Sequence, residues 1–226
     1  MQERLKTGTP SLDKMLEGGL PRGSLVILAG SPGSGKTIAS AQFLYYGATH
    51  DEPAIYISFG ERKEVFYDNM KQFGLDFEKL EQEGKFKFLD LMTTRNEAVT
   101  SMLGIALEEA QIMHAKRLVL DSFSAMSLGF EKKIDGRILL HLLDKVMRTI
   151  NCTSLILVEI PTGQTELGLG FEEFVSDGII LFETVGVRSG IQKRSIIRKM
   201  RGTNHNQNYC NIQISNEGLS LVPYVS

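Results

Sequence analysis

Gly30-Ser31-Pro32-Gly33-Ser34-Gly35-Lys36-Thr37 is preceded by the apolar run Leu25-Val26-Ile27-Leu28-Ala29 and followed by Ile38-Ala39-Ser40-Ala41-Gln42-Phe43-Leu44. The eight residues fit the Walker A pattern of glycine, four residues, glycine, lysine and then serine or threonine, in the strand-loop-helix setting that motif requires. Glycines let backbone N–H groups turn inward on phosphate oxygens, and a helix that starts near Gly35 adds the positive end of its dipole. In such a loop Lys36 bridges the β- and γ-phosphates and the Thr37 hydroxyl ligates magnesium. A tight turn with an incidental lysine is the competing reading, and it leaves the flanking strand and helix unexplained. The expected ligand is a nucleoside triphosphate, ATP with Mg2+ in the first instance.

Outward from this loop, the chain alternates helical stripes with short, continuously apolar runs. A strand over residues 24–29 leads to a helix over 38–48 and a second strand over 54–59. Val65, Phe66, Met70 and Phe73 share a helical stripe, and residues 86–89 read as a strand. Val99, Met102, Leu103, Ala106, Ala110 and Met113 recur at helical spacing before the strand Arg117-Leu118-Val119-Leu120-Asp121. Leu139, Leu142, Leu143, Val146 and Ile150 mark another helix, followed by strands over 154–158 and 178–183. Strands buried along their whole length belong to a parallel sheet covered on both faces. Beyond residue 183 strands over 194–201, 211–214 and 219–222 are separated by turns, which predicts an antiparallel C-terminal extension. The fold class expected is α/β, a mostly parallel central sheet with helices on both faces, forming one domain over residues 1–226.

Composition excludes several classes. With 226 residues, 42% hydrophobic and 23% charged, the chain is an ordinary globular one. Lys plus Arg number 25 against 27 Asp plus Glu, so no global charge argues for a nucleic-acid or membrane partner. No apolar run approaches the roughly 20 residues of a membrane span, and no signal-peptide hydrophobic region follows Met1. Cys152 and Cys210 alone make no disulfide framework or zinc spacing, which fits a reducing, cytoplasmic setting. Local charge is uneven: no acidic residue stands between Glu183 and Glu217, whereas Arg188, Lys193, Arg194, Arg198, Lys199 and Arg201 do. That block is either a solvated face or a binding surface.

A phosphate loop needs an acidic partner for magnesium at the end of a neighbouring strand, and Asp121 stands at the end of such a strand. An Asp that caps the following turn is the alternative.

With these residues in view, the chain resembles the KaiC-like branch of the RecA-type ATPases. The resemblance covers nearly all of it. It is carried by Thr7-Gly8-Thr9-Pro10-Ser11-Leu12-Asp13, by Gly18-Gly19-Leu20-Pro21-Arg22-Gly23 leading into the phosphate loop, and by Phe73-Gly74-Leu75-Asp76 with Glu83-Gly84-Lys85. Phe171-Glu172-Glu173-Phe174-Val175-Ser176-Asp177 and Lys199-Met200-Arg201-Gly202-Thr203-Asn204-His205 complete it. The resemblance implies a RecA-like P-loop core, a homo-oligomer that is usually a hexameric ring, and ATP between neighbours. It implies that Lys199, Arg201 and His205 reach the phosphates bound by the adjacent subunit. Family members often carry two adjacent glutamates after the second strand, the first resembling the residue that prepares water for attack. Here Gly60 stands in that first position and Glu61 in the second. Either the loop turns so that Glu61 takes over, or the site binds ATP and hydrolyses it very slowly. Glu159 matches another family carboxylate near the γ-phosphate end, a sensor or water-orienting group, or else a strand-end carboxylate in solvent.

The leading functional expectation is an oligomeric, nucleotide-dependent regulatory or scaffold ATPase that recruits or releases an unidentified protein partner. A DNA-handling motor or recombinase is the alternative from another class, and a non-hydrolysing ATP sensor is a third. The expected central loop, residues 161–170, has one acidic and no basic residue, unlike a groove that tracks phosphates, so DNA is disfavoured.

Overall fold

The computed structural model describes residues 3–91, 96–127, 133–161, 170, 172–188 and 190–224. Two short strands, β1 (Arg4–Leu5) and β2 (Leu20–Pro21), pair with each other around helix α1 (Pro10–Met15). Next come β3 (Leu25–Gly30), α2 (Lys36–Ala48), β4 (Ala54–Ser58), α3 (Lys63–Lys71), α4 (Phe77–Gln82), β5 (Phe86–Asp90), α5 (Asn96–Ile112) and β6 (Arg117–Asp121). The remainder is α6 (Phe123–Ser127), α7 (Lys133–Thr149), β7 (Thr153–Glu159), α8 (Glu172–Val175), β8 (Gly178–Val187), β9 (Gly190–Met200), β10 (Cys210–Ser215) and β11 (Gly218–Pro223).

Among the described residues, nine strands form one sheet in the order β11-β10-β9-β8-β3-β7-β6-β4-β5. The segment from β8 to β5 is parallel, and β9, β10 and β11 extend it by antiparallel pairing. The α/β class, the parallel core and the antiparallel extension are as the apolar runs predict. Alternation along β3 shows why such a run is needed. Val26 and Leu28 enter one core with Phe43 and Leu44 of α2, Phe66 and Phe77, while Leu25, Ile27 and Ala29 enter the other with Leu103, Leu140 and Leu143. Both faces of the strand are buried, so no polar alternation survives.

Several elements differ from expectation. Helix α4 was hidden behind a glycine-containing motif, although Asp76 caps it, its Oδ1 accepting the Lys79 N–H at 3.2 Å. Strand β9 begins at Gly190 rather than 194, because Gly190, Ile191, Gln192 and Lys193 pair with Val187, Gly186, Val185 and Thr184 of β8. The two-residue strands β1 and β2 carry no periodicity at all. The expected central loop lies, at residues 162–169, outside the described residues, as does Phe171.

Arg117, at the head of β6, is 1% exposed and is the largest fully buried side chain among the described residues. Its Nη1 donates to the carbonyls of Lys6 (2.6 Å) and Phe43 (2.7 Å), and its Nε donates to Glu52 Oε2 (2.7 Å). Its guanidinium lies 4.6 Å from the Phe43 ring centroid. The approach requires Gly47 in α2, since a Cβ there would sit 2.2 Å from Arg117 Cδ. Burial pushes its pKa down, opposed by Glu52. Arg117→Ala leaves the two carbonyls without this donor and Glu52 with only the Arg22 side chain; the expected loss in urea-unfolding free energy is about 3 kcal/mol.

Candidate nucleotide-binding site

The end of β3 and the start of α2 hold the phosphate loop between them. Gly35 adopts φ 102°, in the region where a side chain is strained, and a Cβ there would meet Leu219 Cδ1 at 2.8 Å. Lys36 folds back over the loop, its Nζ donating to the carbonyls of Gly30 (2.8 Å) and Ser31 (3.0 Å). Burial lowers its pKa, while Glu159 and Asp121 oppose that shift. Ser31 Oγ donates to Thr184 Oγ1 at 2.9 Å, which seats the loop on β8. The cleft above it, about 300 Å³, is lined by Gly33, Ser34, Gly35, Lys36, Thr37 and Ile38 with Lys193 and Ile214. A larger cleft of about 600 Å³ opens beside Lys6, Asp13, Lys14 and Tyr46. It lies about 15 Å down α2 from Lys36 and has no phosphate loop in its wall, so the smaller cleft is the candidate site.

Asp121 closes the acidic side of the site. Thr37 Oγ1 donates to Asp121 Oδ2 at 3.3 Å, and the Tyr56 hydroxyl donates to the same oxygen. Burial raises the Asp121 pKa, and the hydrogen bonds from Tyr56 and Thr37 and the charge of Lys36 oppose the rise. The peptide bond from Asp121 to Ser122 is cis. A hydroxyl and one carboxylate converging beside a phosphate loop suit Mg2+, which prefers few protein oxygens and keeps its waters and phosphates. Among the described residues, no group of three or more His, Cys, Asp or Glu side chains is placed to hold a metal by itself.

Glu61 sits past the end of β4. The Ser58 hydroxyl accepts the Glu61 N–H (2.9 Å) and donates to the Glu61 carbonyl (2.7 Å), which bends residues 58–61 into a turn. The alternation of an extended strand therefore does not set the direction of Glu61. Its carboxylate accepts from Asn69 Nδ2 at 3.1 Å. Burial raises its pKa; the Asn69 bond opposes the rise, and the Asp121 charge adds to it. Glu159 ends β7 with an exposed side chain, its backbone N–H donating to Ser124 Oγ at 2.8 Å.

The basic block divides. Lys193, opposite Thr184, lines the phosphate-loop cleft, whereas Met200 pairs with Gly178, which itself pairs with Val26 at the other end of β3. Lys199 and Arg201 both reach toward the segment at the start of β8: Lys199 Nζ donates to the carbonyls of Glu173 (2.8 Å) and Ser176 (2.6 Å), and Arg201 pairs with Asp177. His205 follows in the next loop, with Nδ1 3.2 Å from the Asn206 carbonyl. These three lie across the sheet from their own phosphate loop. Tyr56 and Asn69 were not singled out from sequence, and Lys193 only as a member of the basic block. A tyrosine inside an apolar strand is a usable signal, since its buried hydroxyl requires a partner.

The sequence model of the family described as ATPase: KaiC matches residues 5–226. A UPF0273 protein of Methanocaldococcus jannaschii is 32% identical over 98% of this chain and 97% of its own length. The circadian clock protein KaiC3 of Synechocystis is 30% identical over 98% of this chain, which spans 46% of that longer protein. Among solved structures, a KaiC-like protein of Pyrococcus horikoshii superposes with a TM-score of 0.89 at 32% identity, covering 99% of this chain and all (100%) of that one.

The Tyr56 hydroxyl opposes the rise that burial imposes on Asp121. Tyr56→Phe is expected to move the Asp121 carboxyl pKa further up, because the charged form alone loses its donor; a carbon-13 carboxyl titration by NMR reads the direction.

Proposed function

Because the chain belongs to the KaiC family of ATPases, we propose that it binds ATP with Mg2+ in the phosphate-loop cleft and hydrolyses it slowly within a homo-oligomer. A hexameric ring of single-domain units, residues 1–226, with nucleotide at subunit interfaces is the assembly this reading takes from the family pattern. Nucleotide state then sets subunit geometry and so the affinity for a protein partner. The observation that carries this reading is the convergence of Lys36, Thr37 and Asp121 at the junction of β3, α2 and β6.

The chain's own groups divide the work. The N–H groups of residues 30–37 and the start of α2 take the phosphates, and Lys36 leaves the carbonyls of Gly30 and Ser31 for the β- and γ-oxygens. Thr37 and Asp121 would hold Mg2+, which would neutralise charge on the phosphate oxygens. Glu61 orients the attacking water and accepts its proton. The turn built on Ser58 places its carboxylate where the Asp121 charge is felt, and the raised pKa favours proton uptake. Glu159, whose charge is felt at Lys36, serves as a sensor at the γ-phosphate end. Lys199, Arg201 and His205 act on the nucleotide of the adjacent copy, a role supported by their distance from their own loop. Two free, buried cysteines are compatible with a reducing cytoplasm, and among the described residues no helix is long and apolar enough to cross a membrane.

Glu61→Gln is expected to lower ATP turnover by about 100-fold or more while the ATP dissociation constant stays unchanged. Unchanged turnover eliminates Glu61 as the base, and a wild-type chain that binds ATP without turnover is the sensor instead. Arg201→Ala is expected to slow turnover in the assembled oligomer, and admixture of Lys36→Ala chains, which retain Arg201, to restore part of it. Absence of restoration rejects action between subunits.

A further inference from the structure

At the end of the sheet opposite the phosphate loop, one carboxylate gathers donors from three elements. Asp177 stands between α8 and β8 with its side chain 11% exposed. The N–H of Leu25, the first residue of β3, donates to Oδ2 at 3.0 Å, and Arg148 in the last turn of α7 donates to the same oxygen through Nη2. Arg201, just past β9, donates through Nη1 to Oδ1 at 3.4 Å. The backbone repeats these ties: the Asp177 N–H donates to the Leu25 carbonyl (2.8 Å), and the Arg201 N–H donates to the Asp177 carbonyl (2.9 Å).

The bonds are unequal. Oδ2 is held by a backbone donor and by Arg148, whose Nε is in turn committed to Asp144 at 3.0 Å. The carboxylate is therefore oriented without help from Arg201. The Arg201 contact is long for a charge-assisted bond, which runs near 2.7–2.9 Å, and its side chain is 56% exposed. A guanidinium has five N–H donors in a planar fork, so one donor rests on Asp177 while others stay available to a second anion. Lys199, two residues earlier, is fixed on the Glu173 and Ser176 carbonyls of the same segment, leaving Arg201 as the adjustable member of the pair.

We propose that Asp177 is a positioning residue for Arg201: seated by Leu25 and Arg148, its carboxylate aims the Arg201 guanidinium outward, toward the phosphate oxygens of a nucleoside triphosphate bound by an adjacent copy. The inference rests on the inter-subunit reading of Arg201 given above. Asp177 itself touches no substrate and acts only through the arginine.

Asp177→Asn keeps the side-chain size and one acceptor oxygen but removes the charge that holds the guanidinium. The purified variant is expected to retain wild-type oligomer mass and ATP affinity while turnover falls on the order of 100-fold, the cost of misplacing a reacting group by about an ångström. Mixing it with Lys36→Ala chains is expected to restore turnover, because those chains lend a well-aimed Arg201 to the intact phosphate loops of the Asp177→Asn chains. A merely structural role would lower ATP affinity or assembly and would not be repaired by mixing, and that result overturns the proposal. Unchanged turnover in Asp177→Asn beside an impaired Arg201→Ala also overturns it, whereas an unimpaired Arg201→Ala overturns the reading beneath it. If Asp177→Asn does not assemble, Arg148→Gln takes its place, loosening the seat while sparing the Leu25 bonds. The same loss and repair are expected, and unimpaired turnover overturns the proposal.

Discussion

A cation with no access to water must find its partners inside the protein, and the packing around Arg117 is arranged to supply them. Helix α2 offers the Phe43 carbonyl and ring, the chain after it offers Glu52, and the segment after β1 offers the Lys6 carbonyl. Satisfying that one guanidinium docks the C-terminal half of α2 against the head of β6. The other ends of the same two elements carry Thr37 and Asp121. Their 3.3 Å contact is thus set from both ends of a rigid helix-strand pair, not by the loop alone. Gly47 belongs to this arrangement as much as any glycine of the phosphate loop, because without it the helix could not come close enough.

The acidic side of the site is balanced more finely. Burial disfavours the charged form of Asp121, and the Tyr56 hydroxyl, the Thr37 hydroxyl and Lys36 each favour it. The same burial disfavours the charged form of Lys36, which Glu159 and Asp121 offset. Each charge is therefore opposed by burial and supported by its neighbours.

The phosphate loop and the parallel core were legible from sequence because both have short-range signatures: a fixed spacing of glycine, lysine and threonine, and apolar runs that must be buried on both faces. Arg117 was not, since an arginine at the head of an apolar strand reads as solvent-facing until Glu52, 65 positions away, is brought beside it. The direction of Glu61 was open for a related reason. Alternation governs a strand, but the strand ends at Ser58, and a side-chain hydroxyl then bends the chain. The basic block was visible as composition, yet its division between two ends of the sheet depends on the β8–β9 register, which begins at Gly190 in a short glycine-led stretch that gives no clear strand signal. Tyr56 lies in the core beside Phe66 and Phe88, and its hydroxyl also belongs to the site.

Strand β9 carries Lys193 at the subunit's own nucleotide cleft and Lys199 at the far end of the sheet. A twofold pair exchanges its contacts, so the far end of each copy meets the cleft of the other only where the two bodies lie antiparallel. If the far end of one copy serves the cleft of the next in a head-to-tail row, as proposed for Arg201, that row either closes on itself or remains open. In an open row one cleft always lacks its arginine, whatever the row's length. In the proposed arrangement closure completes every site at once, so the role proposed for one end of a strand carries a preference for rings with it.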